Sequence, residues 1–197
     1  MMIIDYMCWN CRGAGGRNFH RRVRDLLNQS NVDVLMLLET RISGRRADMV
    51  IMKLGFTHWI RVEARGYAGG IWLMWNEDNH RVEDLCYNEQ LIHCKVTAKA
   101  SGTCHLITSI YGDPNPGFRV KLWESLRSIA DGIRDPWWIL GDFNAYMEED
   151  DKKGGANRRT MKDFNDCVQE LGLSLAIGSV SSIQSDVVSY IREMAAF

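Results

Sequence analysis

Residues 32–39, VDVLMLLE, form a nearly unbroken aliphatic run that is too short for an ordinary helix and follows the turn-prone Asn31. They read as a strand buried on both faces. Such a strand needs a covering layer on each side, so its neighbours are constrained. Before it, residues 2–9 read as another strand, and residues 19–27 carry Phe19, Val23, Leu26 and Leu27 at helical spacing. The chain therefore opens as strand, helix, strand. A second short helix over 45–54 is followed by strand-like runs at 57–62, 69–75, 81–87, 91–98 and 104–111. Turn residues at Gly66, Asn76 to Asn79, Asn88 and Gly102 separate them, which suggests antiparallel meanders. A helix over 117–130 has Val120, Leu122, Trp123, Leu126 and Ile129 on its apolar face. Residues 137–141 then read as a strand. A last helix over 160–171 has Thr160 as N-cap and Gly172 as its stop. The predicted sum is a mixed α/β fold in which helices cover sheets.

The chain has 197 residues, a length that suits one domain, and no linker or repeat divides it. With 46% hydrophobic residues and only three Pro, disordered and collagen-like classes are excluded. Net charge is −1, so any attraction to nucleic acid has to be local. The basic pairs Arg21–Arg22, Arg45–Arg46, Lys152–Lys153 and Arg158–Arg159 read as solvated surface before they read as phosphate contacts. Asp5 interrupts the first apolar run, and no stretch approaches the ~18 apolar residues of a membrane span. An intracellular protein, nuclear or cytoplasmic and not secreted, is expected. The six cysteines lie mostly in apolar runs and read as buried reduced thiols.

The segment CWNCRGAGG, residues 8–16, offers three readings. As a Cys-x-x-Cys it has no second pair or nearby His to complete a zinc site. As a glycine loop it has Asn18 where a dinucleotide fingerprint needs its third glycine, and it lacks the Lys-Ser/Thr of a P-loop. What remains is Asn10 at the end of a strand, with Arg12 and Gly13 shaping the turn.

Polar residues also close the other strands: Glu39, Tyr111 before Gly112, and Asp142 and Asn144 in Gly141-Asp142-Phe143-Asn144. Functional groups are commonly carried on loops held by a rigid scaffold. Extended backbone over 142–144 would put Asp142 and Asn144 on one side and Phe143 on the other. Two carboxylates, two amides and a phenol make a hard-oxygen set suited to Mg²⁺ or Mn²⁺ and to phosphoryl oxygens, and no zinc site. Taken singly, each also suits an ordinary turn or a solvated strand end.

In their local contexts these residues form WNCRG, LLETR, SIYGDP and WWILGDFNA, in that order. Residues 1–173 thereby resemble the endonuclease/exonuclease/phosphatase superfamily, in particular the apurinic-type endonuclease domain of plant LINE-type (non-LTR) retrotransposons. GYAGGIWLMW (66–75) and EEDDKKGGANR (148–158) resemble the same lineage. The resemblance implies a four-layer α/β sandwich of two packed mixed sheets flanked by helices. It also implies divalent-metal-dependent hydrolysis of DNA phosphodiesters, with no organic cofactor and no membrane partner. Carried over residue by residue, Glu39 would bind Mg²⁺ or Mn²⁺ with support from Asn10. Asp142 would activate or orient water, and Asn144 and Tyr111 would stabilise the transition state. Arg12 and Arg41 are candidates for nucleic-acid contact.

After Leu173 the pattern departs from that family. Residues 174–197 read as a divergent tail, so the domain is expected to be partial, incomplete at its C-terminus. The family's closing Ser-Asp-His is not found, because His20, His58, His80, His93 and His105 all precede Asp142. Ser185-Asp186 continues with Val187 and reads as coincidence. Three functions follow: an impaired metal-dependent DNA endonuclease, a non-catalytic remnant binding metal or nucleic acid weakly, or a different chemistry of the same superfamily, such as that of an inositol-phosphate phosphatase or a sphingomyelinase.

Overall fold

The computed structural model describes residues 4–145, 158–175, 180–182 and 188–192. Lys152–Lys153, Gly154–Gly155 and Ser185-Asp186 lie outside the described residues. β1 (Tyr6–Asn10), α1 (Phe19–Gln29) and β2 (Val34–Leu38) form a unit whose strands pair in parallel. α2 (Gly44–Leu54) leads to β3 (His58–Val62) and β4 (Ile71–Trp75). These two pair antiparallel, and β4 also pairs antiparallel with β2. The chain then enters a second sheet as the predicted meander, β5 (His80–Asn88), β6 (Leu91–Ala98) and β7 (Cys104–Tyr111). α3 (Pro116–Gly132) carries it to β8 (Trp137–Asp142), which lies parallel to β7. The fold thus holds two strand–helix–strand units, one in each sheet.

α4 (Arg158–Glu170) begins before Thr160, so Thr160 is inside the helix and does not cap it. Its end is as predicted. Gly172 has φ +61°, and the bonds from Gly172 N to Gln169 O and from Leu173 N to Val168 O close a Schellman motif. Residues 174–192, read from sequence as a tail, contain β9 (Ser174–Leu175), β10 (Val180–Ser182) and β11 (Val188–Arg192). β10 pairs with β1, and β11 pairs with both β8 and β9. The sheet orders are β10-β1-β2-β4-β3 and β5-β6-β7-β8-β11-β9.

Strand alternation sorts the side chains into layers. Tyr6, Cys8, Met36, Leu38, Ile71 and Leu73 of the first sheet pack on Ile92, Cys94, Ile107 and Leu140 of the second. Behind the first sheet, Met7, Trp9, Leu35, Leu37 and Trp72 bury α1 and α2 through Phe19, Val23, Ala47 and Ile51. Behind the second, Ile110, Trp137 and Ile139 take up Leu122, Trp123 and Leu126 of α3 and Phe164 of α4. This is a four-layer α/β sandwich. No helix among the described residues is long and apolar enough to cross a membrane.

Candidate active site at the carboxyl ends of four strands

Parallel pairing points the two strands of each unit the same way, so their carboxyl ends form one rim. Open α/β sheets hold ligands at such rims. β1 ends on Asn10 and β2 runs into Glu39. In the other sheet Tyr111 and Asp142 are register partners at the ends of β7 and β8. Asn10 continues the inward face of Tyr6 and Cys8, and Asp142 that of Leu140, so they meet between the sheets. Both are buried.

Asn10 Nδ2 donates to Asp142 Oδ2 at 2.8 Å, and Asn10 Oδ1 accepts from Arg12 N at 3.2 Å. Asp142 Oδ1 accepts from Asn144 N at 2.9 Å. Each carboxylate oxygen therefore has an N–H donor that fixes its orientation. Asn144 Nδ2 donates to Gly112 O at 2.8 Å, which sets the Asn144 side chain beside Tyr111. The convergence of Asp142 and Asn144 is as expected, but extended backbone does not produce it. Asn144 sits at φ +48°, turned back by the Asp142 carboxylate. Phe143 is buried against Trp123 and Phe164, as its alternation implied.

Backbone strain marks the same rim. Among the described residues, the non-glycine positions with left-handed φ are Arg12 (+50°), Glu39 (+56°), Arg41 (+56°) and Asn144 (+48°). Such residues cost of order 1–3 kcal/mol each and persist where surrounding structure determines them. Here the determinants are visible. Cys11 N bonds Leu38 O, Ala14 N bonds Thr40 O, and Thr40 N and Arg41 N bond Gly70 O and Gly69 O. The cysteines of CWNC are buried packing neighbours, and Cys11 Sγ donates to Leu38 O. Burial pushes the Cys11 thiol up to about 12, so it is no thiolate ligand or redox nucleophile at neutral pH.

Glu39 is joined to Arg41, whose Nε donates to Oε1 at 3.0 Å and whose Nη2 donates to the same oxygen. Arg12 contributes its backbone N–H to Asn10. The Tyr111 phenol is pushed up to about 12, first by burial and then by the charges of Glu39 and Asp142. It is therefore a neutral donor across the physiological range.

For a divalent cation the set offers Oε2 of Glu39, the second lone pair of Asn10 Oδ1, and Asp142. These are hard oxygens, and two of the groups are anionic. The residues fit Mg²⁺ or Mn²⁺. No group of three His, Cys, Asp or Glu positioned for a metal exists among the described residues, so solvent or substrate oxygens would complete the shell.

Sequence reasoning missed three supports. Thr40 is fully buried with its Oγ1 unpaired, and a Cβ on Gly70 would come within 2.3 Å of that oxygen. A Cβ on Gly112 would meet Phe143 O at 2.3 Å, so the loops after β7 and β8 touch through backbone. Arg119 of α3 is buried and donates to Asp113 O and Pro114 O, holding the loop after Tyr111. The glycine pairs and SIYGDP were visible as motifs, but their close approaches were not. Beside Tyr111 a cleft of about 300 Å³ is lined by Gly69, Gly70, Gln90, Asp113 and Phe118, among others.

Residues 7–184 match the sequence model of the Endonuclease/Exonuclease/phosphatase family. No curated protein matches the chain. Among solved structures, AP endonuclease LMAP from Leishmania major superposes with a TM-score of 0.69 at 12% identity, over 95% of this chain and 78% of that one. An AP endonuclease from Archaeoglobus fulgidus gives 0.65 at 15% identity, over 87% and 72%. The endonuclease domain of TRAS1, a telomere-specific non-LTR retrotransposon, gives 0.63 at 13% identity, over 95% and 84%. At these identities the likeness to solved structures is one of fold.

Proposed function

The chain belongs to the endonuclease/exonuclease/phosphatase family, and from that premise we propose that it hydrolyses DNA phosphodiester bonds with Mg²⁺ or Mn²⁺ as a slow endonuclease of retroelement origin. The observation that carries this reading is the Asn10–Asp142–Asn144 network, which aims one carboxylate into the rim beside Glu39 and Tyr111. AP endonucleases and a retrotransposon endonuclease domain are among its fold relatives, and the motif resemblance points to the same chemistry.

Glu39, with Asn10, would hold the cation, which supplies charge neutralisation at the phosphoryl oxygens. Asp142, oriented at both oxygens, takes the proton of the attacking water. Asn144 and the neutral Tyr111 hydroxyl donate to phosphoryl oxygens that gain charge in the transition state. Arg12 and Arg41, at the turns after β1 and β2, would contact the phosphate backbone, Arg41 once it has left Glu39.

One observation favours a second reading, a non-catalytic protein that binds metal or nucleic acid weakly: Glu39, the residue that would hold the cation, already carries the Arg41 guanidinium. Supercoiled plasmid nicking and Mg²⁺-dependent melting separate the two. Slow nicking that disappears in Asp142→Ala and Glu39→Ala supports the nuclease. Stabilisation by Mg²⁺ without nicking supports the non-catalytic protein.

A further inference from the structure

We propose that Arg41 is a built-in competitor for the cation at Glu39: its guanidinium holds Glu39 Oε1, and a divalent ion that takes the same carboxylate through Oε2 drives it off by repulsion. The inference rests on the reading of Glu39 as the metal ligand.

Both charged residues are held where they meet. Glu39 and Arg41 share a left-handed backbone on either side of the buried Thr40, and the Thr40 and Arg41 amides are pinned to Gly70 O and Gly69 O. The backbone therefore cannot carry Arg41 away from Glu39, and only its side chain can move. Arg41 Nε and Nη2 converge on one oxygen, leaving Oε2 to the rim. The arginine Cδ lies 3.8 Å from the position of a Cβ on Gly13, an ordinary van der Waals distance, so the turn after β1 flanks the side chain without blocking it.

Charge decides what happens when an ion arrives. A divalent cation has twice the charge of the guanidinium and takes the same carboxylate. A guanidinium left within a few ångströms of it repels it, at an energy that falls inversely with distance. Arg41 has an escape route, because its side chain is 42% exposed while that of Glu39 is only 13% exposed. Displaced from Oε1, it swings to the open side of the rim, where a phosphate would approach. Metal entry then releases a cation toward the substrate, and by linkage a bound polyanion that holds Arg41 strengthens metal binding.

The test is Mn²⁺ affinity of the 197-residue protein without nucleic acid, read from the paramagnetic signal of free Mn²⁺. Because the pair is partly exposed, Arg41→Gln is expected to tighten Mn²⁺ by about two- to fivefold. Arg41→Lys should remain near wild type, and Glu39→Gln should abolish the site in either background. Equal or weaker binding by Arg41→Gln, with metal-free melting unchanged, overturns the competition while leaving Glu39 as a ligand. Binding indifferent to Glu39→Gln overturns the metal reading itself and this inference with it. A second readout needs no variant: the Arg41 Nε–H resonance should shift toward solvent exchange as Mg²⁺ is added. A resonance that stays fixed while Mg²⁺ saturates the site overturns the proposal.

Discussion

Asn10 and Asp142, 132 residues apart, tie the two sheets together at the rim through one 2.8 Å hydrogen bond between buried side chains. The bond serves stability and function together. It compensates one oxygen of a buried carboxylate for lost solvent, and with the Asn144 N–H it fixes the orientation in which that carboxylate meets water.

Replacing Asn10 tests both roles. Asn10→Ala removes a bond to a charged group and should cost about 1.5–3 kcal/mol, measured by urea unfolding. Asn10→Asp replaces the donor with a second carboxylate. It should cost more than Asn10→Ala at pH 7.5 and recover as the pH falls toward 5, because two facing carboxylates can share a proton. A stability difference between Asn10→Asp and wild type that is the same at both pH values would show that the two side chains do not meet.

How much of this was legible in the sequence follows from what each feature depends on. Asn10, Glu39, Tyr111 and Asp142 each end an apolar run, so their place at strand ends was readable from local pattern. That all four ends share one rim depends on parallel pairing across strand–helix–strand units, which periodicity alone does not state. Asn144 reached its expected place by an unexpected conformation, because a side-chain bond from Asp142 overrides extended backbone. The strands after Leu173 include a three-residue and a two-residue element whose pairing comes from tertiary partners rather than from an alternating pattern. The Arg41–Glu39 pair was out of reach, since residues two apart in an ordinary turn have no fixed relation.

Gly70 should tolerate no side chain. A Cβ there lies 2.3 Å from Thr40 Oγ1 and 3.2 Å from Ala64 Cβ, on a backbone with φ +91°. Gly70→Ala should lose about 1–3 kcal/mol from backbone strain alone, and the clash adds to it. Thr40→Ala opens space at the point of collision. In a double-mutant cycle by chemical denaturation, Gly70→Ala should therefore cost about 1 kcal/mol less in the Thr40→Ala background. Strict additivity would place the collision elsewhere.

Tyr111 should ionise late. Its phenol, ordinarily near 10.0, is pushed up to about 12 by burial and then by Glu39 and Asp142, while Arg41 opposes the shift. Between those values the unfolded chain has lost the proton and the folded chain has not. Stability should therefore be whole below pH 10 and fall as pH rises from 10 to 12. The Tyr111 ring carbon resonance, assigned with Tyr111→Phe, should titrate lower in Glu39→Gln and higher in Arg41→Gln. A midpoint that does not respond to Glu39→Gln would remove Tyr111 from the field of that carboxylate.

His93 sets the acid limit. It is buried, with Nδ1 2.8 Å from Thr108 Oγ1, and that hydroxyl also accepts from Trp137 Nε1 at 2.7 Å. Burial lowers the imidazole from 6.5 to about 4, so the folded protein holds it neutral. As pH falls from 6.5 to 4, the unfolded chain takes up a proton that the folded chain refuses. Stability is thus present above pH 6.5 and lost through this window, with a slope of up to one proton. Denaturant midpoints should decline over that range in the wild type and decline less in His93→Gln. The Gln amide can keep a bond to Thr108 Oγ1 but has no proton to gain. His93 lies on β6, three residues from Gln90 and the cleft beside Tyr111. Parallel pH profiles for wild type and His93→Gln would remove His93 as the source of the acid sensitivity.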